Sequence, residues 1–268
     1  MEGNWDSGLL KSIFDKHPNH FIQYNTKENL ATHRAIVVVV GCPEVKQLRS
    51  YLETIRDGVV ILTSEEDAFF RWEEAVPNHL QIWTQYYYEP TKYAIKERIL
   101  LGAPNRIKNY KINTHLPKIY DWSFIGQVQN PFRQQCVETL SKLQNGYLHT
   151  TDFFGGEGDT GIKYQDYLDI LCQSKFVICP AGSMCCDSFR VYEAIECGAI
   201  PITDVRSPRD NEDFNYWQET YPSNELNYMI AGWDEKLLSW MLEKNYKPAP
   251  QHWWDSYKQE LENKLLNI

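Results

Sequence analysis

An arginine and a glutamate three residues apart, Arg190 and Glu193, stand in the segment CPAGSMCCDSFRVYEAIECGAIPIT, which runs from Cys179 to Thr203. The segment reads as the end of a buried strand, a helix, and a second apolar strand opened by a proline. Asp187 serves as N-cap of a helix that begins at Ser188 and ends at Cys197, with Gly198 at C′. Arg190 then lies in the first turn, where the helix macrodipole makes a cation unfavourable by about 0.3 to 1 kcal/mol. A bound anion reverses that sign, because free backbone N–H groups and a guanidinium converge on the same phosphate oxygens. Glu193 projects from the same face, and a carboxylate accepts hydrogen bonds from two vicinal hydroxyls, as on a ribose. Together the two side chains describe a nucleoside diphosphate. The competing reading is an i,i+3 ion pair on a solvated face, worth about 0.2 to 0.5 kcal/mol.

The elements that must hold this pair fall into two series. The first contains strand-like RAIVVVVG (Arg34 to Gly41), a helical EVKQLRSYLETIR, GVVILT (Gly58 to Thr63), a helical DAFFRWEEA, LQIWTQYY and RILLG. After the polar join RIKNYKINTHLPKIYD come WSFIGQV (Trp122 to Val128), helical PFRQQCVETLSKL, YLHTTD, helical KYQDYLDILCQS, KFVICP, helical SFRVYEAIEC and AIPIT. NYMIAGW, helical DEKLLSWMLEKN and a last helix HWWDSYKQELENKLL follow. Continuous apolar strands alternating with helices predict parallel sheets with right-handed crossovers. The expected fold is α/β: two Rossmann-like parallel-sheet halves facing a cleft. Residues 1–117 form the first half and 118–268 the second, with the final helix packing back on the first. In such sheets ligands sit at the carboxyl ends of the strands.

The segment FVICPAG…DSFRVYEAIECGAIPIT resembles the nucleotide-sugar signature of exostosin-type glycosyltransferases, a strand ending in P-x-G followed by S-x-R, E-A and I-P-V/I. WSFIGQVQNPFRQQCVETL resembles the opening strand and helix of the same half, and VVILTSEEDAFFRW is similar to a loop of related xylosyltransferases. The resemblance implies a GT-B-like fold, with residues 1–117 as the acceptor-side domain and 118–268 as the nucleotide-sugar domain, and inverting transfer from a UDP-sugar to a glycan or glycoprotein acceptor. It implies no required cofactor or metal, and the loop favours UDP-xylose. Carried onto this chain, it assigns the diphosphate to Arg190 and the ribose to Glu193. Ser188 and the turn of Gly126 and Gln127 lie near the phosphates, with Arg133 a further candidate.

Inversion needs a base opposite the departing diphosphate. Glu66 is the first choice and Glu65 the second, both in the TSEED loop after GVVILT, with Asp152 as an outside candidate; the competing reading makes these acids first-turn helix residues. Tyr86 to Tyr88, Trp253 and Trp254 are weighed as sugar-stacking aromatics against core packing, and His149 as a neighbour of the site. GEGDTG (Gly156 to Gly161) matches G-x-G-x-x-G, but Glu157 and Asp159 would repel a pyrophosphate, so an NAD-dependent oxidoreductase is a rival only. The other rivals are a GDP-fucose-type transferase and a glycan-binding module without catalysis.

Composition narrows the partners. A net charge of −9 over 268 residues argues against nucleic acid, whose binding rests on a basic face. The N-terminus lacks the basic and apolar stretches of a signal peptide, and no transmembrane run occurs, so a cytoplasmic or otherwise soluble chain is expected, with a truncated lumenal domain as the alternative. Seven cysteines include no C-x-x-C pair, and read as small buried residues of a reducing compartment rather than a zinc site.

Overall fold

The computed structural model describes residues 8–19, 34–39, 44–63, 72–85, 95–128, 130–151, 161–182, 185–207, 212–220, 229–244 and 251–268. By its contacts the chain divides into two compact units, Met1–Asn105 with Ser256–Ile268, and Arg106–Asp255. Each carries one all-parallel sheet, of four and five strands, so both are Rossmann-like α/β assemblies, which is consistent with a GT-B-like class.

In the first unit β1 (Arg34–Val39), β2 (Asp57–Leu62), β3 (Gln81–Thr84) and β4 (Ile95–Arg98) lie side by side in chain order. Every residue of β2 from Gly58 to Leu62 is buried, as the unbroken apolar run requires of an inner strand. Between β1 and β2 runs α2 (Val45–Leu52), whose entry is fixed by the Glu44 side chain accepting from the backbone N–H groups of Lys46 and Gln47 at 3.1 and 2.8 Å. Leu48 and Leu52 of α2 pack against Val39, Val60 and Leu62. The fourth strand departs from expectation. RILLG is not the strand; IKER is, and Ile99, Leu100 and Leu101 follow it as fully buried chain. An apolar run marks burial, whereas the ladder is set by pairing, here Ile82 with Ile95.

A helix that the sequence reading passed over, α1 (Gly8–Lys16), buries Leu9, Leu10 and Ile13. The last helix, α9 (Gln251–Leu266), contributes its residues from Ser256 onward to this unit: Tyr257 Oη accepts from Leu100 N at 2.7 Å and Lys264 pairs with Glu97 at 2.8 Å. Glu262 accepts from His17 at 2.6 Å and Lys16 at 3.1 Å, and these bonds hold its carboxyl below the usual value of 4.5. A depressed carboxylate contributes stability that is present above its unfolded pKa and lost as pH falls through the folded one. Wild type should therefore melt above Glu262→Gln at pH 6, and the gap should close as melts are repeated from pH 4.5 down to pH 3.

The second unit contains β5 (Tyr120–Gln127), β6 (Gly146–Thr151), β7 (Ser174–Cys179), β8 (Ile200–Asp204) and β9 (Met229–Ile230), in the spatial order β6-β5-β7-β8-β9. The order reverses direction between β5 and β7. Helices α4 (Pro131–Leu140), α5 (Tyr164–Cys172), α6 (Phe189–Glu196), α7 (Tyr216–Thr220) and α8 (Glu235–Lys244) connect or follow the strands. Phe124, Phe176, Ile178, Ile200 and Ile202 form the centre of the core, with Cys136 and Leu140 of α4 and Trp233 against them. Edge strand β6 alternates exposed and half-buried residues until Thr151.

Candidate functional site

In doubly wound sheets the ligand crevice lies outside the carboxyl ends of the two strands where the order reverses. Here that point is the end of β5, at Gly126 and Gln127, and the end of β7, at residues 180–182. The openings of α4 and α6 are bonded to the same place.

Arg190 extends from the first turn of α6 to β5, where its Nη2 donates to Ile125 O at 2.8 Å and its guanidinium lies 5.1 Å from the centre of the Phe124 ring. Its Nε and Nη1 are buried and meet no acceptor among the described residues. Ser188 Oγ and Gln127 Nε2 are in the same condition. Buried donors without acceptors cost about 1 to 3 kcal/mol each, so a cluster of them marks a candidate ligand site. Gly126 makes the arrangement possible: a Cβ at that position would lie 2.2 Å from Arg190 Nη2.

The helix cap differs from expectation. Ser188, with φ −138° and ψ 148°, is the N-cap of α6, and its side chain makes no capping bond; Asp187 is turned inward and accepts from Tyr216 Oη at 3.2 Å. The extended backbone of Ser188 starts the helix one residue later than the side-chain preference suggested. At its other end Gly198, at φ 66°, donates to Ile195 O while Ala199 N donates to Ala194 O, the paired bonds of a Schellman stop.

Arg133 does not offer a free fork. Its Nε donates to Ala181 O at 3.0 Å and its Nη1 to Gln127 O at 3.5 Å, tying the ends of β5 and β7 together. Asn130, the N-cap of α4, adds bonds from Nδ2 to the carbonyls of Ala181 and Gly182, both at 3.3 Å. From the other side Asp204, at the end of β8, accepts from Ala181 N at 2.6 Å.

Glu193 is buried, which overturns the solvated ion pair as a description of this helix face. One carboxylate oxygen accepts from Tyr164 Oη and the other from Tyr167 Oη at 2.6 Å. Burial, followed by the negative charge of Glu193, pushes both tyrosine hydroxyls well above their ordinary range, so they remain donors. The tyrosine rings stack 5.5 Å apart, and Arg106 lies 3.8 Å over that of Tyr164. Glu193→Ala strands two buried hydroxyls and should lower stability by about 2 to 4 kcal/mol, read as a melting point some 5 to 15 °C lower. Adding Tyr164→Phe and Tyr167→Phe should recover part of that loss, since the three groups act as one network.

The sequence reading missed Asn130, Tyr164, Tyr167 and Asp204; the i,i+3 spacing of the two tyrosines on one helix was the available signal. Trp253 and Trp254 are core residues, the latter packed on Tyr192 at 4.6 Å and donating to Glu196 at 2.6 Å. His149 lies half-buried on β6. Glu65, Glu66, Asp152, Tyr86 to Tyr88 and Gly156 to Gly158 lie outside the described residues. The six described cysteines are buried free thiols, and no described group of His, Cys, Asp and Glu has the arrangement of a metal site. No helix among the described residues is long and apolar enough to cross a membrane.

The second unit is therefore a Rossmann-like α/β domain whose strand-order switch point carries a cluster of buried donors that meet no acceptor among the described residues. Residues 104–229, just under half of the chain, match the family model described as the RXYLT1 C-terminal domain, which belongs to a xylosyltransferase-type glycosyltransferase family. The match supports a xylosyltransferase-like relationship and not exostosin specifically. Comparison with curated proteins and with solved structures returns no match.

Proposed function

We propose that the chain is a glycosyltransferase that moves xylose from UDP-xylose onto a hydroxyl of a glycan, with inversion and without a metal ion. The observation that carries this reading is the set of buried donors at the switch point that meet no acceptor among the described residues: Arg190 Nε and Nη1, Ser188 Oγ and Gln127 Nε2. Negative charge grows on the diphosphate as it leaves, and donors fixed in advance around it stabilise the transition state more than the ground state. The N-terminus of α6 adds its backbone N–H groups. Glu193 takes the ribose: a carboxylate has about four acceptor positions, and the two tyrosines occupy two. Glu66, or else Glu65, removes the proton of the acceptor hydroxyl as its oxygen bonds to the anomeric carbon and the bond to UDP breaks. The family similarity of residues 104–229 supports xylose as the sugar.

Thermal melting with UDP, GDP, CMP or NAD, each with EDTA, tests the donor. A ligand at about 100 times its Kd should stabilise the protein by about 2.7 kcal/mol. A shift with UDP alone supports the reading, and UDP-xylose turnover that disappears in Glu66→Gln supports the base. A shift with NAD alone, or a UDP shift that requires a divalent metal, would sink the corresponding part.

A further inference from the structure

We infer that Asp204 is a positioning residue of the donor site, holding the Ala181 peptide in place and coupling donor binding to the uptake of a proton. This rests on the function proposed above. The Ala181 peptide follows directly on β7 at the switch point and is gripped from three elements. Asp204 Oδ2 takes its N–H at 2.6 Å from β8, while Arg133 Nε at 3.0 Å and Asn130 Nδ2 at 3.3 Å hold its carbonyl from α4 and the turn before it. Arg133 in turn donates to Gln127 O, so the turn after β7 and the end of β5 share one set of bonds. A shift of the Ala181 peptide would move both walls of the diphosphate site.

Asp204 is almost completely buried, and among the described residues the charged and titratable groups facing it are few. Arg133 and Cys136 come from α4, Cys179 from β7 and Arg206 from just beyond β8. The indole N–H of Trp217 on α7 bonds to the backbone carbonyl of Asp204 at 2.9 Å, whereas the Trp233 indole acts on the carboxyl. Burial raises the carboxyl to about 7, against the opposing pull of the Ala181 N–H, the Trp233 indole N–H and the two arginines. Arg133 and Arg190 both act on Cys179, which places their positive charge around the end of β7. A diphosphate bound there shares that charge, the carboxylate loses support, and its protonated form gains. The sign follows: binding is favoured where Asp204 is protonated, and weakens as pH rises through neutrality.

Titration calorimetry with UDP-xylose tests this, because a diphosphate esterified at both ends does not titrate near neutrality. At pH 7, runs in phosphate and in Tris, whose ionisation enthalpies differ, should reveal uptake of a fraction of a proton per UDP-xylose bound by wild type. Affinity should fall about three- to tenfold from pH 6 to pH 8. Asp204→Asn keeps size and the acceptor for Ala181 N–H, so it should bind UDP-xylose with no proton uptake and a flat profile. Wild type binding UDP-xylose without proton uptake overturns the inference whether or not the variant folds, as do equal pH slopes in the two proteins; either result leaves the donor site standing. Failure of folded wild type to bind UDP-xylose at any of these pH values overturns the proposed function, and the inference with it.

Discussion

Arg190→Ala should bind UDP about a hundredfold more weakly than wild type, yet melt no lower than wild type when no nucleotide is present. The two halves of this expectation have one cause. Among the described residues the guanidinium bonds to Ile125 O, while its buried Nε and Nη1 meet no acceptor. Removing the side chain removes that penalty along with the bond, so folding loses little. On the proposed function the same two N–H groups would supply charge-assisted bonds of about 1.5 to 3 kcal/mol each to the diphosphate, and their loss would correspond to at least two orders of magnitude in affinity. Lysine should not substitute, because a point charge cannot bond at once to Ile125 O and to phosphate oxygens on the other side of a planar fork. Isothermal titration beside thermal melts of wild type, Arg190→Ala and Arg190→Lys decides the matter. An arginine of purely structural use would show the opposite pattern, a lower melting point with UDP affinity unchanged.

Gly126→Ala should reduce UDP affinity nearly as far, although it removes no polar group from the site. The added Cβ would sit 2.2 Å from Nη2 and 3.3 Å from Cζ of Arg190. Contact at van der Waals distance requires the guanidinium to move by roughly 1 Å, which breaks its bond to Ile125 O and misplaces the donors; displacements of that size cost about a hundredfold at sites of this kind. The double variant Gly126→Ala/Arg190→Ala should bind no worse than Arg190→Ala alone, since with the arginine gone the methyl group has nothing left to displace. If the two losses instead add, Gly126 acts through the backbone of β5 and the coupling is wrong.

The parallel α/β class was legible in the apolar runs, because strands buried on both faces leave no polar alternation and helices between them force crossovers. Arg190 was legible from its place in the first turn of a helix after a strand, whereas Ser188, Gly126 and Gln127 came from the family resemblance; in the structure they meet where the strand order reverses. Less could be read where pairing or orientation decides. The strand at Ile95–Arg98 lies ahead of the more apolar RILLG, and Ser188 replaces Asp187 as cap because backbone angles rather than side-chain preference set the first helical residue.

By itself the sequence determined the α/β class, the succession of buried strands and helices in the second unit, and the presence of an arginine in the first turn of the helix after β7. Those properties follow from local periodicity and from chemistry within a few residues. Only the tertiary structure decided what each polar group meets: that Arg190 lies against Gly126, that Glu193 is held by Tyr164 and Tyr167, and that Asp204 and Arg133 grip opposite sides of the Ala181 peptide. Contacts between residues 23 to 65 positions apart are set by strand order and register, and a buried polar group takes whichever partner that order brings within about 3 Å.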